Sequence, residues 1–384
     1  MVERLNGKNT NALMDKLLQK GLKKRFQDIF KSVYEQEYNL PPIAALMDIS
    51  SDCNLNCHWC IDKKALSRNY LQEQTALKLL DELKDLNVKS IVYCGGGEPL
   101  LHPKFGKILE HTKELEIDCA VYTNGIELKT FIKEILNCAK WCRVSIDAGS
   151  AQTYYQLHKK DHFSEIISGI CALKRESDKF RNDFSLGLSF IVMQENYKEI
   201  VEATELAQKI GCDFIQFKPL MIDHKVHKSV ISYSQELIDN IKQSLSASKA
   251  KEEYNFSVLI TNPLRDALGA NMHLEVKHYH KCYVQNLIPM ITPDGVYVCP
   301  NWRGCSRKSY GDVHSKSFKE IWFSAERKFL CRTLDPQIEC NFPCIRHRIN
   351  ALFKLIEMAQ DMDINLFEYL TEIDENHMPD RYFI

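Results

Sequence analysis

Cys53, Cys57 and Cys60 stand at the spacing C-x3-C-x2-C, just after the apolar run Ile43 to Ile49. Farther along comes Gly95-Gly96-Gly97-Glu98-Pro99. Three thiolates can hold three irons of a 4Fe–4S cluster and leave the fourth open to bind and reduce a ligand, whereas a fully ligated cluster only passes electrons. Glycines lack Cβ atoms, so a run of three lets the backbone come close to that ligand. The competing use of a cysteine triad is structural zinc, which is normally four-coordinate and closed. His58 is a conceivable fourth ligand, but it adjoins Cys57 and would strain a tetrahedral site.

The segment CNLNCHWC, with Trp59 as its aromatic, resembles the CxxxCxΦC loop of the radical S-adenosylmethionine (SAM) enzymes. GGGEPLLHP resembles their glycine-rich SAM motif. The two motifs in this order are specific together, and the resemblance runs from about residue 43 to 345. It implies that Cys53, Cys57 and Cys60 ligate a catalytic 4Fe–4S cluster whose open iron chelates the amino and carboxylate groups of SAM. Reductive cleavage would then give methionine and a 5′-deoxyadenosyl radical that takes hydrogen from an unactivated C–H bond. By the same resemblance, Gly95, Gly96 and Gly97 meet the SAM amino group, and Glu98 accepts from that ammonium or holds the loop. Asn124, Ser145 and Asp147 fall where relatives contact the ribose and carboxylate of SAM, and each is equally suited to capping a helix. Ser189 is a weaker candidate of the same kind. Trp59 packs near the adenine or the cluster, or is an ordinary core aromatic. A flavodoxin or ferredoxin is the implied electron donor.

A second cysteine set follows. Cys282 and Cys299 flank the turn signal Pro293-Asp294-Gly295, whose neighbours LIPMIT and VYV read as a hairpin. Cys340 and Cys344 come later, in CNFPC. Four thiolates can fully ligate a second 4Fe–4S cluster. The set resembles the family's twitch module, which carries one auxiliary cluster. The larger SPASM version needs a C-x2-C-x5-C-x3-C run whose first two positions are not filled here at the right spacing. Cys305 and Cys331 keep the two-cluster version open. On its own, the four-cysteine set could also bind zinc.

Composition suits an enzyme of the reducing cytoplasm. The formal net charge of −1 offers no global basic field for nucleic acid or an anionic membrane. No apolar run approaches the roughly 18 residues that span a bilayer. The opening MVERLNGKNTNALMDK lacks the apolar core of a signal peptide. Fifteen cysteines without a secretory signal point to metal or catalytic thiols, not disulfides.

The elements that must position these residues alternate. Strands are expected at Ile43–Ile49, Ser90–Cys94, Cys119–Tyr122, Cys142–Ile146, Phe184–Val192 and Phe214–Phe217. Helices are expected from about Gln72, Pro103, Leu128, Ala151, Ser164 and Tyr197. That order predicts an α/β fold with a parallel sheet and helices outside, and the resemblance makes it a partial (β/α)6 barrel with a small C-terminal cluster-binding module. Ligands of such folds bind at the carboxyl ends of the strands, where the polar signatures fall. The expected divisions are an N-terminal helical extension (1–42), the barrel (43–222), a connector (223–280), the auxiliary cluster module (281–346), and a C-terminal helix and tail (347–384). Residues 9–35 read as a pair of helices, and Asn350 to Phe367 as an amphipathic helix covering a core.

The substrate is expected to be a small polar molecule: a carbohydrate, an aminocyclitol or a nucleoside-like metabolite. An auxiliary cluster could take an electron from the substrate radical, giving oxidation. A thiol on the opposite face could return a hydrogen, giving epimerisation. The other reading is oxidation or crosslinking of a peptide, for which no recognition domain is evident. Cys94 is the candidate thiol, because it ends the second strand beside the glycine loop. His158 and Lys218 are candidate catalytic groups, and with His102, His224 and Arg303 they are the candidate substrate-side contacts near the open face, where a solvated surface role is the ordinary one. The remaining cysteines read as small buried hydrophobes.

Overall fold

The computed structural model describes residues 22–62, 69–180, 183–220, 234–269, 277–342 and 344–368. The chain begins there with α1 (Lys23–Tyr34) and β1 (Ala44–Asp48), then α2 (Glu73–Asp85), β2 (Ser90–Cys94), α3 (Phe105–Glu114) and β3 (Asp118–Thr123). It continues with α4 (Ile132–Cys138), β4 (Ala139–Ser145), α5 (Ala151–His158), α6 (Phe163–Phe180), β5 (Ser185–Val192), α7 (Ile200–Ile210) and β6 (Phe214–Pro219). After these come α8 (Gln235–Lys249), β7 (Ser257–Ile260), α9 (Asn262–Ala267), β8 (Met290–Thr292), β9 (Gly295–Tyr297) and β10 (Ser309–Gly311). The last helices are α10 (Phe318–Trp322), α11 (Ala325–Thr333), α12 (Pro336–Glu339) and α13 (His347–Gln360).

The ten strands of the described residues form one sheet in the order β10-β9-β8-β1-β2-β3-β4-β5-β6-β7. Strands β1 to β7 are parallel. Alternation along each strand sends one set of side chains to the helices and the other into the lumen. Ala45, Met47, Ile91, Tyr93, Val121, Val144, Leu188, Phe190 and Phe217 face the helices and join the main core. On the lumen side, Val92, Ala120 and Trp141 form a small apolar patch with Leu46, Cys94 and Tyr122. The helices lie on the sheet because each carries an apolar stripe at helical spacing, as Ala76, Leu79, Leu80 and Leu83 do on α2.

The six expected strands are present, and β7 adds a seventh parallel strand within 223–280. Its pattern is faint, because Ser257–Ile260 is four residues long and sits at the sheet edge. The expected hairpin is β8–β9, antiparallel with Thr292 opposite Gly295. Its β8 pairs in parallel with β1, so the hairpin extends the barrel sheet. Helix α1 packs on α13: the Phe26 and Phe353 rings are 4.6 Å apart, and Phe353 stacks on Tyr283 at 4.5 Å. The first of the two N-terminal helices expected from sequence falls mostly in 1–21, outside the described residues, as does His224 in 221–233.

Candidate active site

The loop after β1 carries Cys53, Cys57 and Cys60, all half-buried. It is fixed from beneath by the glycine loop after β2. A Cβ on Gly97 would stand 2.2 Å from the Asp52 carbonyl oxygen and 2.6 Å from that of Ser50. Gly97 is therefore glycine because the cluster loop lies directly on it. A Cβ on Gly95 would meet the Gly97 carbonyl oxygen at 2.2 Å, so the loop's own tight path requires that residue. Glu98 N–H donates to the Asp52 oxygen at 2.7 Å.

Glu98 is buried and turns inward to the protein. Its Oε1 accepts from Thr123 Oγ1 at 2.7 Å and Leu100 N at 3.0 Å, and its Oε2 from Asn124 N at 2.7 Å. The carboxylate thus ties the β2 loop to the β3 loop. Burial pushes its pKa up to about 7, although those three bonds pull the other way. Asn124 passes the link on: its Nδ2 donates to Asn54 Oδ1 at 2.7 Å, in the cluster loop, and lies 4.0 Å from Cys53 Sγ.

On the other flank, His158 at the end of α5 is buried, with Nδ1 3.1 Å from Cys57 Sγ. The Trp59 ring meets the His158 ring edge-on at 5.1 Å, and Tyr154 lies 4.3 Å from it. Burial lowers the His158 pKa and so favours the uncharged imidazole, while Asp147 pulls the other way. Asp147, at a positive φ of 54° just beyond β4, accepts from Ile191 N at 2.7 Å through Oδ1, and its Oδ2 is 3.7 Å from His158 Nε2. Ser145 and Ser189 are opposite each other on β4 and β5. Ser189 is fully buried, and its hydroxyl has no partner among the described residues.

Two site residues, Asp48 and Arg143, were not singled out in the sequence. Asp48, wholly buried at the end of β1, accepts from Gly96 N at 2.7 Å. Arg303 reaches from the C-terminal segment with Nε 3.4 Å from Asp48 Oδ2 and Nη1 2.5 Å from Asp62 Oδ2. Burial pushes Asp48 up to about 7, and Arg303 and Gly96 N–H restrain the rise. Arg303, read as a substrate contact, is here a strut joining β1 and the cluster loop. Arg143 on β4 lies in the lumen, its guanidinium 3.7 Å from the Tyr122 ring centre and hydrogen-bonded to Gln216 Oε1. The signal available for Asp48 and Arg143 was a charged residue inside an apolar strand.

Cys94 ends β2 facing the lumen, and burial pushes its thiol up to about 12. Lys218 is next to last on β6, its pKa lowered to about 7 by burial, with Arg143 adding to the effect and Asp147 opposing it. His102 is buried away from the site, bonded to the Leu71 carbonyl.

Cys282, Cys299, Cys340 and Cys344 lie close enough in the C-terminal segment for their charges to interact, but among the described residues no three such side chains close around a metal position. The negative charge of one thiolate raises the pKa of another throughout the group, on top of the larger effect of burial. Arg346, buried beside them, favours ionisation of Cys282, Cys299 and Cys344. Asn350 Nδ2 donates to Cys282 Sγ at 3.7 Å. Cys331 lies elsewhere, in the apolar cluster under α1 and α13, bonded to Asn286.

The family model for the radical SAM superfamily matches residues 47–207, which span β1 through most of α7. This chain carries a radical SAM domain. Its cofactors are a 4Fe–4S cluster and SAM. Among similar proteins, the tungsten-containing aldehyde ferredoxin oxidoreductase cofactor-modifying protein of Pyrococcus furiosus is 24% identical over 72% of this chain and 80% of its own length. The GTP 3′,8-cyclase of Clostridium acetobutylicum is 29% identical over 32% of this chain and 41% of the cyclase. Streptococcus suis SuiB bound to the precursor peptide SuiA shares the fold, with a TM-score of 0.59 and 16% identity over 80% of this chain and 71% of SuiB. So does anSMEcpe with bound AdoMet and the Cp18Cys peptide, with a TM-score of 0.57 and 16% identity over 86% of this chain and 100% of that one.

The donor types suit these cofactors, although among the described residues no three Cys, His, Asp or Glu side chains are closed around a metal position. Three soft thiol donors share one loop, held over a glycine backbone that admits close approach. Burial pushes Cys53 up to about 11 and Cys57 higher, so the thiols stay protonated until a metal displaces the protons. Asn124 and His158 flank that loop and bond to Asn54 and Cys57 within it, and Trp59 of the loop meets the His158 ring.

Proposed function

We propose that this radical SAM protein acts on a small polar metabolite in the barrel lumen, oxidising or epimerising it, with an auxiliary 4Fe–4S cluster on Cys282, Cys299, Cys340 and Cys344. Cys53, Cys57 and Cys60 would hold the catalytic cluster, and Gly95 to Gly97, Asn124, Ser145 and Trp59 would surround SAM. Bound there, the cluster and SAM would supply the radical chemistry for reaction at an unactivated C–H bond of the substrate. The protein's own part is to hold the loops rigid and line the chamber. Glu98 and Asn124 lock three loops together, and Asp48 with Arg303 locks the cluster loop to the sheet.

The observation that carries the small-molecule reading is the lumen, where Arg143, Ser145, Ser189, Gln216 and Lys218 stand on adjacent strands β4 to β6, with Arg143 hydrogen-bonded to Gln216. The sequence relatives support it, because GTP and a tungsten enzyme's cofactor are what their names mention. Peptide modification is the second reading, supported by the peptides bound to SuiB and anSMEcpe. Within the first reading, Cys94 is a neutral thiol on the lumen wall, the state needed to give up a hydrogen atom.

The test is anaerobic. Iron and sulfide are counted after reconstitution, and 5′-deoxyadenosine is measured with dithionite in wild type and Cys57→Ala. About eight irons per chain, with deoxyadenosine lost in the variant, is the expected result. About twelve would favour two auxiliary clusters and the peptide reading. Zinc without SAM cleavage would overturn the assignment.

A further inference from the structure

The lumen floor is closed where the Phe214 ring lies on Gly187, whose added Cβ would stand 2.2 Å from that ring. Above it, Ser145, Ser189 and Gln216 are in register across β4, β5 and β6. Neighbouring strands are about 4.8 Å apart, so three polar side chains form one row. Arg143 lies one lumen-facing step below this row and Lys218 one step above. The row offers donors. Gln216 Oε1 is already taken by Arg143, which leaves its amide nitrogen to donate. The Ser189 hydroxyl is wholly buried with no partner among the described residues. Arg143 is held flat by the Tyr122 ring, so its fork is pre-aimed.

Among the described residues no carboxylate forms an ion pair with either cation, although Asp147 acts on Lys218 at longer range. Asp48 is engaged with Gly96 and Arg303, Glu98 with Thr123, Asn124 and Leu100, and Asp147 with Ile191 N–H and His158. Among the described residues, Lys218 forms no hydrogen bond or ion pair, although its side chain is half-buried. A desolvated lysine beside an arginine is costly unless an anion joins them.

We propose that Arg143, Ser189 and Lys218 form a receptor for an anionic group of the substrate, a phosphate or a carboxylate, bound in the lumen. This rests on the reading of the lumen as the substrate chamber. It moves Ser189 from the SAM side, where the sequence put it, to the substrate side, and makes Lys218 a binding group. The two possible anions share one chemistry: both accept several charge-assisted hydrogen bonds from a fixed fork.

The experiment uses the anaerobically reconstituted full chain and calorimetric titration with inorganic pyrophosphate and, separately, citrate. Wild type is expected to bind at least one of them saturably at one site. Pyrophosphate alone identifies a phosphate receptor and citrate alone a carboxylate receptor. Lys218→Met and Arg143→Met should each weaken binding by about tenfold or more, the loss typical of a charge-assisted bond. Lys218→Arg should keep most of the affinity, which shows that the fold tolerates changes there. The SAM dissociation constant should stay the same in all three variants. Three results would overturn the proposal: no saturable binding of either anion, equal binding in the methionine variants, or a parallel loss of SAM affinity. The last would give the two cations to the carboxylate of SAM itself. Iron content and deoxyadenosine, read on the same samples, report separately on the proposed reaction.

Discussion

Lys218 ties its environment to a pH dependence. Burial and Arg143 lower it to about 7, while Asp147 opposes them. Below that pH the ammonium is charged and can pair with an anion. Above it, binding must first draw a proton onto the amine, so affinity should fall by up to about tenfold per pH unit. Calorimetry at pH 6, 7 and 8 in buffers of different ionisation enthalpy checks this, and a flat profile would remove Lys218 from the site. Glu98 shows the opposite kind of titration. It is raised to about 7, so between about pH 4.5 and 7 the folded protein holds a proton that the unfolded chain releases. Stability of the cluster-free protein should therefore fall as pH rises through that window, and the slope should lessen in Glu98→Gln. Glu98→Ala goes further and strands the Thr123 hydroxyl and the N–H groups of Leu100 and Asn124. We expect a loss of about 3 kcal/mol in urea denaturation.

Elements place these groups, and the glycine loop is the clearest case. Gly97→Ala puts a methyl against the backbone of Ser50 to Asp52, which cannot yield without moving the cysteine loop. The variant should lose the catalytic cluster, about four irons, and keep the auxiliary one. Gly106→Ala is the control. There the new methyl meets only the Glu134 side chain, at 3.2 Å, and replaces a helical glycine, so iron content should not change. Iron analysis with electron paramagnetic resonance distinguishes the two. The sequence made the loop's position legible, because Gly95 to Glu98 follow a strand whose apolar run is plain. It did not reveal why each glycine is needed, since the clash is with a segment more than forty positions away. Strands β1 to β6 were legible for the same local reason, their alternation and apolar runs. Strand β7 was not, because four residues at an edge carry little pattern. Asp48, Arg143 and Arg303 escaped notice as a group because charge pairing inside a barrel joins distant positions and leaves no local spacing.

The whole molecule is held as one sheet, and this bears on how the C-terminal segment acts. Strand β8 continues the sheet from β1. The buried Trp322 indole donates to the Leu40 carbonyl at 2.8 Å, and buried Arg327 donates to that of Tyr38. Between these contacts and the catalytic loop stands Arg303, its side chain only 9% exposed, paired with Asp48 and Asp62. Breaking a buried pair from one side leaves an uncompensated charge, whereas replacing both partners can be nearly neutral. Arg303→Met should therefore destabilise the protein by about 3 to 5 kcal/mol, and the double change with Asp48→Asn should recover a large part of that loss. Chemical denaturation of the two single variants and the double variant gives the coupling energy directly. A strong coupling means that the C-terminal segment fixes the cysteine loop through this pair, so distortion of either end changes SAM affinity. If the single losses simply add, Arg303 does not act as a strut, and its charge is free to face the substrate.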